Sequence, residues 1–138
     1  MRIRQIMTPK IETIEPSATI QDAAKKLRDL NIGCLTVTES NSLVGILTDR
    51  DICCRAVCDG LDPKRTRVSD IMSRDVMCCF EDQDVTEAAQ LMQDRHVRRL
   101  AVLNRKKDLV GFVSVDDLAL YSHDLAGEVL EASSAAPH

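Results

Sequence analysis

Apolar and polar positions along this chain follow two periods, and the whole course is run twice. Ile20, Ala23, Ala24 and Leu27 fall at i, i+3, i+4 and i+7, one face of a helix predicted over residues 19–30. Two β-rich runs follow at residues 34–38 and 43–47, separated by polar Glu39-Ser40-Asn41-Ser42, which predicts a hairpin. A short strand around Glu12-Thr13-Ile14 precedes the helix, and a second helix opens at Thr48 and runs to about Cys58. Asp59-Gly60-Leu61-Asp62-Pro63 ends it. After a passage at residues 64–67 comes a short helix at 68–72. The second course predicts strands at 76–80, 99–103 and 109–113, with helices at 84–94 and from Val115. Residues 125–132 predict a further helix and residues 133–138 a frayed tail.

The two courses agree residue by residue. Ile6-Met7-Thr8 returns as Ile71-Met72-Ser73, Ala23-Ala24 as Ala88-Ala89, and Leu35 and Val37 as Leu100 and Val102, all at a spacing of 65. One extra residue in the second hairpin loop makes the spacing 66 thereafter, where Val44-Gly45-Ile46-Leu47-Thr48-Asp49-Arg50-Asp51-Ile52 returns as Val110-Gly111-Phe112-Val113-Ser114-Val115-Asp116-Asp117-Leu118. A repeat this small leaves apolar faces it cannot bury alone. The expected fold is therefore α/β (α+β), two similar halves packed on each other with two related clefts. The first half is residues 1–62, the second 63–124, and 125–138 form a C-terminal helix and tail.

Charge narrows the function. Eighteen Lys and Arg against 22 Asp and Glu give a net charge of −4, which argues against a general nucleic-acid or membrane-surface role. No apolar run has membrane-spanning length and no signal-peptide core follows Met1-Arg2-Ile3-Arg4, so the expected location is the cytoplasm. Only Phe80, Phe112 and Tyr121 are aromatic, so a bound planar ring would be held mainly by aliphatic side chains. The six cysteines (Cys34, Cys53, Cys54, Cys58, Cys78, Cys79) form no C-x-x-C pair and read as small hydrophobes in a reducing compartment. Cys54 and Cys58, four apart on the predicted helix, carry a weak metal signal that Cys53 or Cys78-Cys79 could join.

Two constellations carry candidate chemistry. Thr48-x-x-Asp51 and Ser114-x-x-Asp117 each stand where a strand gives way to a helix. As capping boxes they need no ligand. The same geometry also suits one: a helix N-terminus attracts phosphate, and an ionised Asp accepts from the vicinal hydroxyls of a ribose. The second constellation is Arg95-His96-Val97-Arg98-Arg99, before a strand of the second half. Its counterpart, Leu30-Asn31-Ile32-Gly33-Cys34, is uncharged. Such a cluster is most often a solvated face, but arginine at a strand entrance also suits phosphate. His96 reads as a turn or core residue.

Together these motifs resemble a CBS-domain pair of the small stand-alone bacterial type, over almost the whole chain from Ile3 to Leu120. The resemblance rests on the two Ile-Met-Thr/Ser openings, the two Val-Gly segments ending in Thr/Ser-x-x-Asp, and Val97-Arg98-Arg99-Leu100-Ala101-Val102. It implies two β-α-β-β-α motifs related by pseudo-twofold symmetry, their sheets packed face to face, with adenosine-containing ligands (AMP, ADP, ATP or S-adenosylmethionine) in the two clefts. By that resemblance Asp51 and Asp117 hold ribose hydroxyls, Thr48 and Ser114 lie near the ribose-phosphate, and Arg98 and Arg99 reach phosphates. The base at Asp51 is framed by Cys78 and Val97, and the base at Asp117 by Thr13, Ile32, Gly33 and Cys34. Because Gly33-Cys34 supply no cation, the two clefts are not expected to be equivalent. Self-association as a homodimer through the helices after Thr48 and Ser114 is also implied.

The leading expectation is a non-catalytic regulatory sensor that requires no cofactor and acts on an unidentified regulated protein. An enzyme would have to use a cysteine with His96 or His123, and no nucleophile motif surrounds them. The other readings are a cysteine-based redox or metal sensor and a ligand-free dimerisation scaffold.

Overall fold

The computed structural model describes residues 1–9 and 12–135. Its elements repeat as the hydrophobic pattern repeats. Strand β1 (Thr13–Ile14), helix α1 (Ile20–Leu30), strands β2 (Cys34–Glu39) and β3 (Ser42–Thr48) and helix α2 (Asp49–Asp51) form the first series. Helix α2 continues without a break as a π-helix over Ile52–Val57, where Cys58 N bonds to Cys53 O at 3.1 Å, five residues back. After the short α3 (Val68–Ile71) the second series is β4 (Cys78–Phe80), α4 (Val85–Arg95), β5 (Arg99–Leu103), β6 (Leu109–Ser114) and α5 (Val115–Tyr121). Helix α6 (His123–Ala135) closes the described chain. It runs past the expected 125–132, so Ser133 and Ser134, expected in a frayed tail, are helical. Residues 136–138 lie outside the described residues.

Local chemistry accounts for the element ends. Thr19 Oγ1 accepts from Asp22 N at 3.2 Å and Asp84 Oδ1 from Thr86 N at 2.9 Å, giving α1 and α4 their N-caps. Both helices stop at a left-handed residue, Asn31 (φ 53°) and His96 (φ 55°). The first hairpin turns on Ser40 and Asn41, both at positive φ, as a two-residue turn between right-twisted strands requires. The longer second loop is organised by Asn104, whose Oδ1 accepts from Lys106 N and Asp108 N.

Each series makes a three-stranded sheet in which a parallel pair, β1-β2 or β4-β5, is extended by an antiparallel hairpin to β3 or β6. The residues group into two compact units that are offset from the sequence boundary expected at 62/63. One is Glu12–Val76; the other joins the N-terminal segment to the chain from Met77 onward. Strap segments cause the offset. Thr8 exchanges both backbone bonds with Phe112 on β6 (2.7 and 3.0 Å), and Ser73 does the same with Ile46 on β3 (2.9 and 2.9 Å). The straps approach so closely that only glycine fits opposite them, at Gly111 and Gly45. Leu35, Val37, Leu47, Ile20, Ala23, Val68 and Ile71 build the core of the 12–76 unit. Ile3, Val85, Met92, Leu100, Val102, Val113, Leu118 and Val129 build the other.

Candidate functional site

The two strand-to-helix junctions are near copies. Thr48 is extended, its Oγ1 accepts from Asp51 N at 3.0 Å, and Asp51 Oδ2 accepts from Thr48 N at 3.0 Å. In the other unit Ser114 Oγ accepts from Asp117 N at 3.3 Å, while Asp117 Oδ2 accepts from Ser114 N at 2.9 Å and from Ser114 Oγ at 3.2 Å. Both capping boxes are thus formed. Each first turn also carries two carboxylates, Asp49 with Asp51 and Asp116 with Asp117. They already answer the positive end of each helix and repel a further anion. A phosphate at either junction would therefore need a cationic side chain rather than the helix end.

The strand entrances lie against the junctions of their own units. Gly33 O accepts from Asp49 N at 3.0 Å, and Arg98 O accepts from Val115 N at 2.9 Å. Cys34 pairs with Thr48 and Arg99 with Ser114 across the antiparallel ladders, so the members of each pair present their side chains on one face of the sheet. Arg99 is exposed and has no partner among the described residues. Arg98 is turned elsewhere: its Nε donates to Ser133 Oγ at 3.1 Å and an Nη to Ser134 Oγ at 3.5 Å, both on α6. The ring Nδ1 of His96 lies 3.1 Å from Ala132 O in the same turn. Helix α6 has no basic residue in its own last turn; His96 meets a carbonyl of that turn from outside, and Arg98 binds its two serine hydroxyls.

The remaining residues singled out by the sequence divide between the units. Thr13, Ile32, Gly33 and Cys34 lie with Thr48 and Asp51; Cys78, Val97, Arg98 and Arg99 lie with Ser114 and Asp117. Thr13 O accepts from Lys26 Nζ at 2.5 Å. Ile32 and Val97 pack against the cores of their units. Cys78 is half-buried opposite Ala101, and burial raises its thiol pKa. Next to it Cys79 is buried and pushed up to about 12 by desolvation and by Cys78.

Two residues that sequence reading passed over complete the comparison of the junctions. Arg55, four residues past Asp51, reaches Asp51 Oδ1 with Nε at 3.7 Å and donates to the carbonyls of Ile71 (3.2 Å) and Met72 (3.4 Å). Its counterpart at the spacing of 66 is Tyr121. The available signal was the i+4 position after each repeated Asp.

A sequence-family model of the CBS domain matches residues 3–55 and 68–124. The chain belongs to the CBS-domain family. Its CBS pair is 36% identical over 130 residues to the CBS domain-containing protein YhcV of Bacillus subtilis, covering 93% of this chain and 91% of that one. The fold matches a conserved CBS-domain protein of Thermoplasma acidophilum with a TM-score of 0.85 at 25% identity, over 100% of this chain and 79% of that one. A CBS-domain protein from Pyrobaculum aerophilum, solved in complex with AMP, matches with a TM-score of 0.78 at 25% identity, over 98% of this chain and 100% of that one. Among the described residues of this CBS pair, no three His, Cys, Asp or Glu side chains gather to hold a metal, and no helix is long and apolar enough to cross a membrane. Cys53, Cys54 and Cys58 are exposed on the π-helix and the turn after it.

Proposed function

We propose that this CBS-pair protein is a non-catalytic sensor of an adenosine-bearing ligand of the AMP, ADP or ATP class. The observation that carries the reading is the duplicated Thr/Ser-x-x-Asp junction. In both copies the cap holds the carboxylate in place through Oδ2, and Oδ1, which in Asp51 faces Arg55 Nε at 3.7 Å and in Asp117 has no partner among the described residues, is the acceptor for a ribose hydroxyl. Arg99, unpartnered on the face of Ser114, is the cation suited to the phosphate. The Pyrobaculum relative with AMP supports the same ligand class. Sensing requires that the ligand favour one state of the protein over another, since equal affinity for both shifts nothing. Exposed Val57 and Leu120, beyond Thr48 and Ser114 in the chain, support self-association as one output.

The test is a thermal-shift titration of the full chain with adenosine, AMP, ADP, ATP and S-adenosylmethionine. A ligand at about 100 times its dissociation constant adds roughly 2.7 kcal/mol to the folded state. D51N and D117N should each remove one site, and Arg99→Gln should weaken AMP while leaving adenosine unchanged. Wild-type affinity in both Asp variants refutes the ribose role, and no shift with any ligand leaves a scaffold or a cysteine-based sensor.

A further inference from the structure

The internal repeat provides a comparison that neither unit provides alone. In the 12–76 unit the guanidinium of Arg55 sits among three acceptors: the Asp51 carboxylate and the carbonyls of Ile71 and Met72. At the repeat spacing the equivalent acceptors in the other unit are Asp117 and the carbonyls of Ile6 and Met7. These acceptors recur, but the cation does not, because Tyr121 replaces Arg55. Among the described residues nothing donates to the carbonyls of Ile6 or Met7, and Asp117 Oδ1 has no partner. In place of the missing side chain there is a cavity of about 320 Å³ lined by Asp117, Tyr121, Ile6, Gln5, Leu120 and Met1.

We propose that this cavity is a binding site for a small molecule bearing a guanidinium group. Arg55 shows within the same chain how such a group is held: its Nη1 donates to two successive carbonyls while its Nε faces a carboxylate. The second copy offers a carboxylate already fixed by Ser114 and, at the repeat spacing, the carbonyls of Ile6, which lines the cavity, and Met7 next to it. Tyr121 adds an aromatic wall, and a ring face beside a cation contributes further attraction. A planar cation with several donors suits this set of acceptors better than a neutral amide, which brings fewer donors and no charge. The site shares Asp117 with the nucleoside reading, so a ligand here and a ribose would compete for Asp117 Oδ1.

The probes are n-butylguanidine and its uncharged isostere n-butylurea, titrated into the full chain by calorimetry and by amide NMR. The guanidine should bind and move the amide signals of Ile6, Met7 and residues 117–121, and the urea should not. D117N should weaken the guanidine by about tenfold or more, the scale of a lost charge-assisted hydrogen bond. Tyr121→Arg should supply the missing guanidinium from the chain itself, abolish probe binding and raise Tm. Equal binding of the two probes, undiminished binding to Y121R, or unmoved signals at Ile6, Met7 and residues 117–121 would each overturn the proposal. Because the probes contain no nucleoside, these results stand whether or not an adenosine ligand binds.

Discussion

Replacing Gly111 with alanine tests whether the N-terminal strap lies as close to β6 as the structure has it. A Cβ built there meets Thr8 O at 2.8 Å and Met7 Sδ at 2.8 Å. The thioether can swing aside, but the carbonyl is held by the paired bonds between Thr8 and Phe112. Relief requires the strap to withdraw by about half an ångström, an overpacking cost of roughly 1–3 kcal/mol. Weakening one of the two backbone bonds adds about 1 kcal/mol. Alanine's smaller entropy loss on folding returns about 0.5 kcal/mol, so the net loss is roughly 2 kcal/mol. Urea unfolding should show a lower midpoint with an unchanged slope, and Tm should fall by roughly 5–10 °C. Gly127 is the control. Nothing lies within 4 Å of a Cβ there, and it sits inside α6, so Gly127→Ala should stabilise by up to about 1 kcal/mol. If G111A lies within about 0.5 kcal/mol of wild type, the close approach of the strap is wrong.

Further outcomes follow from the same structure. Arg98→Ala should speed amide hydrogen exchange in the last turn of α6 while β6 and α5 keep wild-type protection; equal rates at residues 132–135 would mean that the clasp contributes nothing to holding that turn. The buried Cys79 thiol, raised from 9.0 to about 12, favours the neutral form in the folded state, so its contribution to stability is complete below pH 9 and declines as pH rises from there toward 12. Cys79→Ala should flatten that alkaline decline. Iodoacetamide at mildly alkaline pH should modify exposed Cys53, Cys54 and Cys58 well before Cys79.

The parts of the fold legible in the sequence are those governed by neighbours along the chain. Helix α1 follows from the spacing of Ile20, Ala23 and Leu27, and both junctions follow from a hydroxyl and a carboxylate three residues apart. His96, read as a turn or core residue, is the left-handed cap of α4. What escaped depends on distant partners. Arg98 and Arg99 are adjacent in sequence, yet only the docking of α6 shows that one is held by Ser133 while the other stays free on the sheet. The π-helix after Asp51 widens the backbone by one residue per turn without changing composition, so no hydrophobic period announced it. The strap pairings were carried only by Gly45 and Gly111, and a repeated glycine does not name the carbonyl that will lie against it.

That exchange of straps makes the order of synthesis matter. Glu12–Val76 is continuous, so all of that unit's contacts are within reach once Val76 has left the ribosome. The other unit cannot close at that point. Ile3 N must find Gln83 O and Thr8 must find Phe112, loops of 80 and 104 residues. Loop entropy grows only logarithmically, so the thermodynamic penalty of this wait is slight. The exposure is kinetic: buried Ile3, with Ile6 and Met7, stays in water while its partners are still being made. A chain rebuilt to begin at Glu12, with the strap carried after α6, would assemble its two units in turn, and its refolding rate against the natural order would measure how much that wait matters.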